Sequence, residues 1–208
     1  YGGNKNIPFK ESDNVDHPVS LYAATKKSNE ILSHSYSHLY KIPCTGLRFF
    51  TVYGPWGRPD MAPMIFADSI LKSKPINIFN YGDMQRDFTY IEDVVEIVFR
   101  CIQKPAFAEG SFNYMDPKSD RSFAPFRIFN VGNSNPVNLL DFIEVLENEL
   151  GIRAKKNFIE MQPGDVKTTS SDIHEIKNWV NFTPNTSFES GIKKFANWYK
   201  SYYQRLVR

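Results

Sequence analysis

Cysteine is scarce, long apolar runs are missing and neither sign of charge prevails. Each shortage excludes a class of protein. The two cysteines, Cys44 and Cys101, both lie in apolar segments. A disulfide framework is not indicated. Buried free thiols in a reducing cytosol are the favoured reading, so the expected compartment is cytoplasmic. His17, His34, His38 and His174 have no Cys or carboxylate cluster around them at ligand spacing, and no metal is expected. His34 and His38 stand at i and i+4, but without an HExxH-type partner set they read as helix surface. No run approaches the roughly 20 apolar residues that a bilayer span requires, and no signal peptide is evident at Tyr1. Lys and Arg number 25 against 23 Asp and Glu, a formal charge of +2. That balance offers no electrostatic footprint for nucleic acid or for an anionic membrane surface.

An initiating Met is also missing. Tyr1-Gly2-Gly3-Asn4 is turn chemistry with no strand or cap before it, and it reads as the exit from a strand that is not present. The expectation is the C-terminal part of something longer.

The 208 residues are 41% hydrophobic, enough for a core in one large or two small domains. Ser20-Leu21-Tyr22-Ala23-Ala24-Thr25-Lys26 predicts a helix that Ser20 caps, over residues 20–40. Tyr22 and Lys26 then share one face, a turn apart. A phenol, with an ordinary pKa of about 10, is a poor base until a fixed cation favours its charged form. Such a pair is a general acid/base unit for a hydroxyl or carbonyl. An isolated Tyr-x-x-x-Lys is more often a surface Lys beside a partly buried Tyr, and the rest of the chain decides between the two. Along the same helix Ala24, Ile31, Leu32, Ser35 and Leu39 form a seam suited to close helix packing.

Residues 45–50 read as a buried strand that runs into a Gly/Pro loop carrying Thr51 and Arg58. Helix, buried strand and loop make one α/β unit of a parallel sheet, whose ligands bind beyond the carboxyl ends of the strands. Gly57 and Pro59 shape the backbone around Arg58 and leave its guanidinium free for a carboxylate or phosphate. Further helices are expected over residues 62–72, 91–103, 139–150 and 187–203, with a short one over 172–177. Further strands are expected over 76–79, 128–132 and 156–159. Residues 104–126 read as a long irregular loop.

Together the motifs SLYAATK (20–26), RFFTVYGPWGRPDMA (48–62), INIFNYGDMQRDFTYIEDV (76–94), FNVGNS (129–134) and MQPGDV (161–166) resemble the extended short-chain dehydrogenase/reductase family. Within it they are most similar to the NAD-dependent nucleotide-sugar epimerases that act at C4 of UDP-glucuronate in bacterial polysaccharide synthesis. The resemblance covers essentially the whole chain. It implies an α/β fold: a partial Rossmann-like parallel sheet over residues 1–60, then a mainly UDP-sugar-binding domain over 61–208, some of whose elements return to that sheet. It implies NAD as cofactor, a UDP-sugar as substrate and a homodimer or other homo-oligomer. Tyr22 is then the catalytic base and acid, Lys26 assists it and binds the nicotinamide ribose, and Phe50 lines the nicotinamide side. Thr51 and Arg58 face the sugar, Met61 and Ala62 border the nucleotide, and Asn77 and Phe79 embrace uracil. Arg86 binds the diphosphate, while Gln162 and Asp165 close over the nucleotide.

The family's Gly-rich turn, which grips the NAD pyrophosphate, has no counterpart here, because Gly2-Gly3 lacks the spacing. Rival readings are a UDP-glucose 4-epimerase, a UDP-glucuronate decarboxylase, a sugar-nucleotide dehydratase, and a substrate-domain fragment that does not turn over.

Overall fold

The structure is a computed structural model that describes residues 1–162 and 165–206, the last four by backbone alone. Its elements in order are α1 (Leu21–Tyr40), β1 (Cys44–Phe49), β2 (Thr51–Tyr53), α2 (Ala62–Leu71), β3 (Pro75–Ile78), β4 (Gln85–Tyr90), α3 (Ile91–Gln103), β5 (Phe126–Val131), β6 (Pro136–Asn138), α4 (Leu139–Leu150), β7 (Lys155–Phe158), α5 (His174–Val180) and α6 (Phe188–Leu206). The fold is α/β, and the chain divides into two compact units.

The first unit comprises Tyr1–Phe50, Val95–Ser134 and Ser170–Thr183. Its sheet is the parallel pair β1–β5, in register from Cys44 opposite Phe126 to Phe49 opposite Val131. Ser20 caps α1 by accepting a hydrogen bond from the Ala23 amide at 3.1 Å. β1 is not the buried strand that its apolar run suggests: it is half-buried, and Phe49 is 52% exposed. The packed face of α1 carries Ala23, Lys27, Glu30, His34 and Ser37, whereas Ile31, Leu32 and Leu39 of the expected seam are exposed. His34 is not free surface either. It bonds the Ser122 hydroxyl at 2.6 Å and lies edge-on to Phe126. Cys101 is buried, which pushes its thiol up to about 11, while Cys44 is half-buried. The helix expected from residue 172 starts later, at His174, because the Asp172 carboxylate accepts the His174 amide instead of joining the helix.

The second unit comprises Thr51–Val94, Asn135–Thr169 and Pro184–Arg208. β4 lies between β2, parallel, and β6, antiparallel, while β3 pairs in parallel with β7. Phe66, Phe88, Phe142, Phe188 and Phe195 pack with Ile76, Ile78 and Leu146 into one core. β2, β4 and β6 are absent from the sequence-based expectation, β2 falling at Thr51–Tyr53 where the Gly/Pro loop is expected to begin. β4 flows straight into α3 without a breaker, and β6 has only three residues, too few for periodicity to register. Phe79 opens a 3-10 turn rather than ending a strand. Within the MQPGDV motif, Gln162 and Asp165 are described, whereas Pro163 and Gly164 lie outside the described residues.

One contact fixes how β2 meets α6. The Tyr53 hydroxyl donates to the Phe188 carbonyl at 3.2 Å and lies 2.0 Å from where a Cβ on Gly191 would stand. A side chain there would displace either the helix or the ring. Gly191→Ala is therefore expected to destabilise the protein by about 1–3 kcal/mol, despite alanine's better helix propensity. Chemical denaturation checks this; a more stable variant would show that Tyr53 yields freely.

Candidate functional site

In the first unit the candidate acid/base pair stands on α1 one turn apart, as the spacing requires. The Lys26 ammonium lies 5.3 Å from the centre of the Tyr22 ring. Tyr22 is 71% exposed. Among the described residues neither its hydroxyl nor the ammonium has a hydrogen-bond or ion-pair partner. Both are thus available to a hydroxyl or carbonyl from outside.

Behind this helix lies a polar cluster that sequence reasoning missed. Arg48 of β1 binds Glu30 of α1 through two hydrogen bonds, at 2.7 and 3.0 Å, with little of either side chain exposed. The Arg48 guanidinium also covers the Tyr1 ring at 4.9 Å. Tyr1 stacks on Phe9, and its hydroxyl bonds the Asn130 side chain. Phe50 is half-buried, donates its amide to Val131, and has its ring 6.2 Å from Tyr1 and 6.3 Å from Phe9. Asn130 donates from its side chain to the carbonyls of Phe9 and Asp172, and from its backbone to the Glu11 carboxylate at 2.9 Å. Glu11 is buried. Burial raises its pKa above the usual carboxylate range against the pull of the Asn130 amide, with Asp120 and Asp172 adding to the rise.

In the second unit the candidate substrate residues fall into four sets. Thr51 begins β2 opposite Phe88 and is half-buried. Arg58 is well exposed, but its fork is not free: Asp60 takes both ends, at 3.1 Å each. Pro59 turns the chain so that the carboxylate two residues on is within reach, and an exposed guanidinium takes the nearest anion. Met61 occupies the N-cap position of α2 without a side-chain capping bond, its sulfur 3.5 Å from the Arg58 guanidinium, and Ala62 is the first helical residue. Asn77 is exposed on β3 and accepts from the Asn157 amide of β7 at 2.9 Å, with Phe79 two residues along. Arg86 of β4 is partly buried and binds Asp165 at 2.8 Å, also donating to the carbonyls of Gln85 and Lys167. Burial lowers its pKa from the ordinary arginine value, and Asp165 opposes that shift. Arg86 and Asp165, expected separately at the substrate, are thus partners here. Gln162 is exposed, and its carbonyl accepts the Asp165 amide.

Sequence separation explains what was missed. Asp60 stands two residues from Arg58 and was open to inspection. Glu30 and Arg48 are 18 residues apart on different elements, and no periodicity links them. Among the described residues no group of three or more His, Cys, Asp or Glu could hold a metal ion.

The model of the NAD dependent epimerase/dehydratase family matches residues 1–114. Protein CapI of Staphylococcus aureus is 49% identical over 99% of this chain and 61% of its own length. UDP-glucuronate 4-epimerase 1 of Arabidopsis thaliana is 47% identical over 98% of this chain and 47% of its own. A crystal structure of a UDP-glucuronic acid 4-epimerase variant from Bacillus cereus, in complex with UDP-4-deoxy-4-fluoro-glucuronic acid and NAD, superposes with a TM-score of 0.79 at 32% identity. It covers 96% of this chain and 58% of that one. The chain therefore spans about half to three-fifths of the length of the relatives it matches.

The buried Glu11 carboxylate sets a pH test. Its folded pKa is raised, so folding favours the protonated form. Its contribution is fully present below the unfolded pKa and is lost as pH rises through the folded one. Glu11→Gln keeps an oxygen for the Asn130 amide without the charge. It is expected to raise Tm at pH 7 by on the order of 2 °C, with the gain fading as pH falls through the carboxylate range. Thermal melts across that range check this; a gain independent of pH would mean that the Glu11 charge is not what costs stability.

Proposed function

Because the chain belongs to the NAD dependent epimerase/dehydratase family, we propose that it serves the NAD-dependent conversion of UDP-glucuronate to UDP-galacturonate, for cell-surface polysaccharide. The observation that carries this reading is the capped helix that presents Tyr22 and Lys26 together, with neither polar end in a hydrogen bond or ion pair with a described residue. Relatives named UDP-glucuronate 4-epimerase, aligned over nearly the whole chain, support the choice of sugar.

NAD, when bound, would supply the redox chemistry as hydride acceptor and donor for C4 of the sugar. Tyr22 accepts the proton of the C4 hydroxyl as the 4-keto sugar forms, and gives it back once the sugar has turned its other face. Lys26, beside the Tyr22 ring, reaches the nicotinamide ribose, with Phe50 lining the nicotinamide side. The pair fits that end of the cofactor. The 208 residues contain no Gly-rich turn for the pyrophosphate, and by themselves they should bind UDP-sugar more readily than NAD. That feature favours the second reading, a substrate-binding module that does not turn over alone.

A 4-keto glucuronate is a β-keto acid and loses carbon dioxide readily, so the site must hold the carboxylate charge in place. Thr51 and Arg58 do so in this reading. The guanidinium exchanges Asp60 for the sugar, at little cost, since an exposed ion pair contributes only about 0–1 kcal/mol. Arg86 likewise exchanges Asp165 for the diphosphate. Asn77 and Phe79 hold the uracil, Met61 and Ala62 border the nucleotide, and Gln162 and Asp165 close over it. The exposed Leu21, Ile31, Leu32 and Leu39 on α1 suit a second copy of the protein.

Two variants test the reading in the full-length protein. Tyr22→Phe should lower kcat by about 10²–10⁴-fold while leaving UDP-glucuronate binding nearly unchanged, as followed by NMR of the C4 configuration and by calorimetry. Retained turnover would remove Tyr22 from the chemistry. Arg58→Met should weaken UDP-glucuronate by roughly 10–100-fold and UDP-glucose far less, because a charged hydrogen-bond partner is lost only for the former. It should also raise the share of decarboxylated UDP-pentose. Equal losses for both sugars would show that Arg58 does not recognise the carboxylate.

A further inference from the structure

The turn that leads to Arg58 holds a residue its backbone disfavours. Pro55 and Trp56 occupy the turn between Gly54 and Gly57, and Trp56 has φ 64°. A type II turn reserves that position for Gly or Asn, and a Cβ there is strained. A bulky residue stays in such a conformation only where its surroundings over-determine it. Here the surroundings are two rings of α6. The Trp56 ring lies 5.4 Å from Trp198 and 4.6 Å, edge-on, from Tyr202. Trp198 and Tyr202, one turn apart, stack nearly parallel at 5.6 Å. Trp198 in turn meets Phe195 and Tyr199 of the core.

Burial does not explain Trp56, which is 70% exposed. Its ring leans on α6 by one side only, which fits a tether better than a core residue. The upstream end of the segment is tied to the same helix, by Tyr53 over Gly191. Gly54, at φ 143°, adds a second constraint, since a Cβ there would meet Ile91 at 2.4 Å. Residues 53–56 are thus fixed to α6 at both ends, and Arg58 follows two residues beyond the second tie.

We propose that Trp198 and Tyr202 form a seat for Trp56, and that this seating sets the reach of Arg58, making Trp56 a positioning residue for recognition of the sugar carboxylate. The proposal rests on the reading of Arg58 given above. A guanidinium on a loosely held loop must be ordered when substrate arrives, and a tethered loop has that ordering in place beforehand.

The test uses the full-length protein and two ligands, UDP-glucuronate and UDP-glucose, with binding measured by calorimetry. Trp56→Gly supplies the residue the turn prefers and removes the ring together with its Cβ, and Trp56→Phe controls for the added backbone freedom. It should weaken UDP-glucuronate by roughly tenfold and UDP-glucose by less than about twofold. Trp56→Phe should restore binding to near wild type. Combined with Arg58→Met, Trp56→Gly should add little further loss, because the two changes remove one function. Tyr202→Ala, on a half-exposed helix face, should repeat the split and carries the comparison if Trp56→Gly does not fold. Equal weakening of both sugars would make Trp56 merely structural, and no weakening of either would make it idle; both outcomes overturn the proposal. If Arg58→Met separates the sugars and Trp56→Gly does not, the seat alone is refuted. If Arg58→Met fails to separate them, the reading of Arg58 falls and the seat falls with it.

Discussion

The hold of α1 on its strand rests on an ion pair. Only Ser37 of its residues is fully buried, and beyond the contacts of His34 with Ser122 and Phe126 packing gives the helix little grip. Glu30 and Arg48 supply it instead, with two short hydrogen bonds between side chains that are 19% and 14% exposed. Charges this sheltered lose much of their hydration, and their attraction roughly offsets that loss. What the pair adds is geometry: a planar fork on a planar carboxylate admits one orientation. Tyr22 and Lys26 inherit it, because Glu30 lies one turn beyond Lys26 on the same helix.

The same arginine draws the loops together. It covers Tyr1, which stacks on Phe9, and Asn130 then fastens Phe9, Glu11 and Asp172 through its backbone and side chain. Burying Glu11 there costs stability at neutral pH, and the network keeps it because its carboxylate satisfies the Asn130 amide. A polar cluster of this kind, together with the buried Phe9 ring stacked on Tyr1, orders residues 1–11.

The second unit is built the other way. Phenylalanine rings and branched aliphatics make a dense interior, and the close approach at Gly191 locks α6 to β2. The candidate substrate groups occupy its rim. Arg58 and Arg86 each hold a carboxylate that a sugar acid or a diphosphate could replace. A rigid interior with exchangeable ion pairs at the surface suits a site that must be both positioned and open.

The sequence alone determined what local forces settle. Ser20 caps α1, the apolar periods of α3 and α4 match their ends at residues 91–103 and 139–150, and the Tyr-Lys spacing places both groups on one helix face. The motifs that identify the family were legible for the same reason, since each is a short stretch whose meaning lies in its own spacing. Only the tertiary structure decided which face of α1 is covered, why β1 stays half-exposed, that β4 and β6 are strands, and which anion each arginine holds. Glu30 finds Arg48 across 18 residues and Asp165 finds Arg86 across 79. Such pairings depend on where the whole chain brings its segments, whereas helix propensity, capping and turn chemistry act within a few residues.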